Sequence, residues 1–201
     1  MTKIIAQYLQ VLLLSINITF GQNILPDSKP FKAGENLEYI VHYGIFNASY
    51  ASLKLTNEKL DGKDFLLASG YGKTIGLARL FFKVEDYYSS YFDDTVVTPY
   101  FFKRNIYEGG YTKNLEVKFN SEYQNATVNN LKNQTIETIN TEKNVQDLIS
   151  SLYYLRKNFS EEKVSIGEQF IINMFYDSKN RELPLIFLGK DIINTKFGKI
   201  E

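Results

Sequence analysis

The chain has 201 residues, with 23 Lys+Arg balanced by 23 Asp+Glu, one His and no Cys. Zero formal net charge leaves no bulk field to attract phosphate backbones, so nucleic acid is not an expected partner. The absence of cysteine excludes disulfides and the lipid-bearing cysteine of an exported lipoprotein.

In chain order, Lys3 precedes a mostly apolar stretch from Ile4 to Phe20, and Thr19 and Gly21 put small residues where a signal peptidase cuts. Residues 1–21 therefore read as a cleaved signal peptide, and 22–201 as a single β-rich domain exported to the periplasm or cell envelope. Gln7, Gln10, Ser15 and Asn17 interrupt the apolar run and argue against a membrane anchor. No transmembrane segment is expected in the mature chain, because nothing after Phe20 stays apolar for the about 20 residues a span requires.

Beyond that leader the pattern alternates. Leu37, Tyr39, Val41 and Tyr43 share one face of a strand that Gly44 ends, with Glu38, Ile40 and His42 on the other. A second strand spans Ala48 to Glu58, and Asp61-Gly62 turns it into a third over Phe65 to Tyr71. Val84 to Phe92 is tyrosine-dense, Asp93-Asp94-Thr95 forms a turn, and Pro99 leads into a strand over Tyr100 to Glu108. Gly109-Gly110 then makes a hairpin into Tyr111 to Phe119. Ser121 to Thr141 is polar and suits exposed edge strands or a long hairpin as well as a loop.

The period then changes. Val145, Leu148, Ile149, Leu152 and Leu155 fit one amphipathic helix, with Asn144 as its cap, Asp147 in its first turn, Arg156 and Lys157 at its far end, and Asn158 to stop it. Further strands are expected over Glu168 to Tyr176 and Lys190 to Ile200. The last still alternates at the final residue, and a C-terminally truncated domain is the expectation. The fold class is mainly β: a curved antiparallel sheet or partly open barrel with one amphipathic helix packed against its concave face. A flat α+β sheet is the alternative.

Gly34-Glu35, Leu37, Tyr39, Val41 and Tyr43-Gly44, then Tyr91, Asp94 and Pro99, and finally Asp147, Ser150 and Leu152-Tyr153-Tyr154-Leu155-Arg156 occur in an order that resembles the exported bacterial family called domain of unknown function 3108, over about Phe31 to Glu201. The resemblance implies a β-rich fold like the curved half-barrels of lipoprotein carriers and a longer C-terminal portion. It implies no activity and no functional residues.

Catalytic constellations are scarce. His42 is the sole histidine and reads as a sheet-face residue, and no metal site or cofactor is expected. Gly72-Lys73-Thr74 imitates the end of a phosphate loop, but Leu67 stands where its first glycine belongs. Glu85, Asp86, Asp93 and Asp94 are the densest carboxylates, and a turn accounts for the latter two. The sequons at Asn47, Asn125 and Asn133 carry no weight if the source is bacterial, and Lys190, Lys196 and Lys199 read as a solvated strand face.

The aromatics are the better lead: 15 Tyr and 15 Phe with no Trp. Tyr87, Tyr91, Tyr100, Phe102, Leu148, Leu152 and Tyr153 are the candidate ligand-binding residues, either as ordinary core or as the walls of a Tyr-rimmed apolar cleft. The favoured function is a non-enzymatic envelope protein that binds or carries an amphipathic small molecule such as a lipid. An envelope scaffold that binds another envelope protein is the alternative, and a carboxylate-based hydrolase is third. The first reading expects Leu152→Ala to raise ligand affinity while lowering stability by about 2–5 kcal/mol.

Overall fold

The computed structural model describes residues 30–43, 46–159, 164–195 and 198–200. The signal-peptide reading, Gly44 and Lys196 lie outside those residues. Eight strands form one antiparallel meander in sequential order: β1 (Asn36–Tyr43), β2 (Phe46–Leu60), β3 (Lys63–Thr74), β4 (Val84–Phe92), β5 (Pro99–Glu108), β6 (Tyr111–Asn120), β7 (Asn125–Asn130) and β8 (Thr135–Asn140). β1 and β8 do not pair, so the curved sheet stays open. Helix α1 (Gly76–Phe81) joins β3 to β4, and helix α2 (Ser150–Asn158) lies on the inner face. The polar Ser121–Thr141 stretch supplies β7 and β8 as a hairpin.

The strand faces follow the two-residue period. Leu53 and Leu55, Leu66 and Ala68, Ser90 and Phe92, Phe102 and Ile106, Leu115, Val117 and Phe119, and Ala126 and Val128 point inward and are buried. Phe31, Phe92 and Tyr153 pack edge-on or tilted against one another in one core cluster. Phe102, Val117, Phe119, Val145 and Phe175 make a second, and Ile149 touches both.

Three features differ from the sequence pattern. β10 (Lys179–Ile186) pairs with β9 (Gln169–Tyr176) through a turn in which Asp177 and Ser178 have φ of 51° and 57°, a left-handed pair normally announced by Asn or Gly. The strand expected over Lys190 to Ile200 is a hairpin of β11 (Ile193–Thr195) and β12 (Gly198–Ile200), with Gly198 at φ 106°. The helix cap is Asp147, not Asn144. Asn144 has φ 56°, and residue 146 bridges Met174 of β9 in parallel, so helical geometry starts only after Asp147.

That late start rotates α2 relative to the expected stripe. Ile149, Ser150 and Tyr153 face the sheet, whereas Leu148 and Leu152 are 36% and 37% exposed. Gly70 permits the close approach, since a Cβ there would lie 3.3 Å from Ile149 Cδ1. At the other end of α2 Arg156 makes a bidentate pair with Glu35, both contacts 2.7 Å, and donates to the Pro30 carbonyl.

Candidate functional site

On β1 to β3 the covered part of the inner face ends one row of residues beyond Ile149, whereas Asp86 and Ile106 farther along that row are buried. Strand register places Tyr39, Ala51, Gly72, Asp86, Ile106 and Lys113 side by side from β1 to β6, and Leu37, Leu53, Gly70, Tyr88, Arg104 and Leu115 form the adjoining row that α2 overlies at Gly70. At the β1 side Tyr39 and Val41 are 49% and 51% exposed, and a Cβ on Gly72 would meet nothing within 4 Å. The strip therefore offers an apolar, small-residue floor with a tyrosine at its edge.

Its far side is charged. Buried Arg104 donates to Asp177 at 2.7 Å, lies 4.7 Å from the Tyr176 ring, and leaves its Nε without a partner; Lys113 also pairs with Asp177. Two cations thus share one carboxylate. Burial pulls the Arg104 pKa down, but Tyr176, Tyr88 and Asp177 together raise it above its usual value. For Asp177 burial acts upward, and Lys113 and Arg104 outweigh it to hold the carboxyl low. Asp86, which accepts from the Tyr107 amide, has its pKa raised chiefly by burial. From β1 to β6 the row thus runs from an open small-residue end, past buried Asp86 and Ile106, to the Arg104, Lys113 and Asp177 group.

The seven residues singled out in the sequence do not line one cleft. Phe102 and Tyr153 are buried in the inner-face core. Tyr87 and Tyr91 lie on the convex face, where Tyr87 pairs with Tyr71 at 4.8 Å between centroids and Tyr91 with Phe101 at 6.2 Å. Tyr100 stacks on Phe65 at 4.8 Å and donates to Asp61. Leu148 and Leu152 sit on the solvent side of α2, so the stability loss expected of Leu152→Ala shrinks with its burial. The signals that went unused were Gly70-x-Gly72 inside a strand and a charged Arg104 at a core-facing position between Phe102 and Ile106.

Two compact hollows are small. One of about 150 Å³ lies between Pro99, Phe119 and Val145, and another of about 150 Å³ between Leu155 of α2 and Phe170 of β9. Each is below the roughly 300–1,000 Å³ of a drug-sized pocket. A shallower depression of about 430 Å³ includes Tyr100, Lys118 and Thr127.

The carboxylates do not converge. Glu85 faces outward, where Arg79 holds its pKa low, and Asp86 faces inward. Asp93 builds a turn by accepting from the amides of Thr95, Val96 and Thr98; these bonds keep its carboxyl low although burial alone would raise it. Among the described residues no group of three or more His, Cys, Asp and Glu could hold a metal ion. His42 is exposed on edge strand β1, and Lys73 stands in β3 over the rings of Tyr50 and Tyr71. No helix among the described residues is long and apolar enough to cross a membrane.

A protein-family model described as "Protein of unknown function (DUF3108)" matches residues 38–201, from within β1 onward, leaving Phe31 and Glu35 outside the match. No curated protein and no solved structure matches the chain.

Proposed function

We propose that this chain, which belongs to the DUF3108 family, is a non-enzymatic protein of the cell envelope that binds an amphipathic molecule at the open β1–β3 end of the inner face. The observation that carries the reading is the open floor from exposed Tyr39 and Val41 to the empty space over Gly72, with the Arg104, Lys113 and Asp177 group beyond buried Asp86 and Ile106. An acyl chain would lie on the small-residue floor of Ala51 and Gly72 with α2 as the wall of the groove.

Gly72 supplies the test, because its φ is not in the left-handed region and its side-chain direction is empty. Gly72→Leu should fold with nearly unchanged thermal stability and lose uptake of a fluorescent fatty acid. Undiminished uptake by that variant, or no uptake by the parent chain, would overturn the reading.

The scaffold alternative draws support from β1, an edge strand that pairs only with β2 and exposes Ile40 outward and Tyr39 and Val41 inward. Against the hydrolase alternative, Glu85 and Asp86 face opposite sides of β4 and Asp93 is engaged in its own turn.

A further inference from the structure

In a meander, successive connections alternate between the two ends of the sheet. Among the described residues the connections at one end are 75–83, 109–110 and 131–134; at the other they are 61–62, 93–98 and 121–124. The first set carries Arg79, Lys83 and Lys132 with no carboxylate, and the second carries Asp61, Asp93, Asp94 and Glu122 with no cation. At the strand ends beside them Glu85 pairs with Arg79 and Lys83, and Lys118 pairs with Asp61, so the charge separation is partial.

The cationic end is also the apolar one. Leu80 and Phe81 of α1 are 79% and 87% exposed, no residue of that helix is buried, and Leu77, Phe82 and Phe46 are more than half exposed beside them. Phe82 lies against Gly109, where a Cβ would overlap its ring, so α1 is held against the β5–β6 hairpin. Just below this tip are Tyr107 with Lys83 at 5.0 Å from its ring and Tyr111 with Lys132 at 5.8 Å. Tyrosine rings paired with lysine stems are suited to a headgroup layer, and a Leu-Phe-Phe tip to the acyl boundary beneath it.

We infer that the end of the sheet bearing α1 docks on an anionic phospholipid surface, with Leu80, Phe81 and Phe82 inserted and Lys83 and Lys132 at the headgroups. Arg79, Lys83 and Lys132 outnumber Glu85 and Glu108 at this apolar end, whereas Asp61, Asp93, Asp94 and Glu122 gather at the opposite one, so an anionic bilayer is favoured here over there. The inference stands apart from ligand binding on the inner strip, and either can fail alone.

The chain contains no tryptophan, so Phe81→Trp installs a single reporter at the tip and Tyr123→Trp, at a position 69% exposed, one at the acidic end. With phosphatidylglycerol vesicles the emission of the Phe81→Trp variant should move to shorter wavelength and be quenched by brominated lipid, while the reporter at 123 stays unchanged. Lys83→Gln should weaken vesicle binding about fivefold, the value of one cation near an anionic surface. No shift at position 81, equal shifts at both positions, or a shift that depends on protein concentration without vesicles would overturn the proposal, the last by making this end a contact between copies of the chain.

Discussion

Tyr153→Ala should lower the unfolding free energy by about 3–5 kcal/mol, against about 1 kcal/mol or less for Leu152→Ala one residue away. Tyr153 is fully buried, with its ring 4.9 Å from Phe31 and 5.1 Å from Phe92 and the Arg156 guanidinium 5.4 Å above it. Truncation would open a cavity where helix, N-terminal segment and sheet meet, and those three cannot close over it without breaking the Arg156–Glu35 pair. The Tyr153 hydroxyl is buried with no hydrogen-bond partner, and burial followed by the Glu35 carboxylate raises its pKa. Tyr153→Phe should therefore be neutral or slightly stabilising. Chemical denaturation of the three variants checks the order, and equal losses for Tyr153→Ala and Leu152→Ala would show that α2 presents a different face to the sheet.

The second large effect sits at the other end of the helix. Asp147→Ala should lower stability by about 2–4 kcal/mol, as a lost cap plus buried donors left without an acceptor. Its carboxylate accepts from the amides of Ile149 and Ser150, both at 2.8 Å, and from the Ser90 hydroxyl of β4 at 2.6 Å. The Asp147 amide donates in turn to the Ser150 Oγ at 2.9 Å, closing a capping box that is wholly buried. Burial dominates these bonds and raises the Asp147 pKa from 3.8 to about 6. The folded chain therefore holds this proton more tightly than the unfolded chain. Stability from this group is fully present below about pH 4 and lost as the pH rises through about 6. Asp147→Asn, which keeps an acceptor for the amides, should flatten the stability profile between those pH values. A profile of the variant that parallels the parent would contradict the assignment.

The strand faces were legible because period two fixes every side chain's direction once the strand is found, and β1 to β6 follow that rule from Leu37 to Phe119. Turns written with Asp61-Gly62 and Gly109-Gly110 were legible for the same local reason, whereas Asp177-Ser178 carries no such signature. The face of α2 was not legible. Val145 belongs to the extended segment beside β9, so a helical count begun there is out of phase with the turn that Asp147 starts. The site was half legible: tyrosines recur in each strand from β1 to β6, but which of them meet solvent on the inner side depends on how far the helix reaches across Gly70.

The most direct test of the inner strip is an amide chemical-shift titration of the isotopically labelled protein with a lysophospholipid. The largest shifts are expected at Tyr39, Ala51, Gly72, Tyr88 and Arg104, with Gly72→Leu abolishing them. Shifts confined to the convex residues Tyr71, Tyr87 and Tyr91, or none at saturating lipid, would contradict the account.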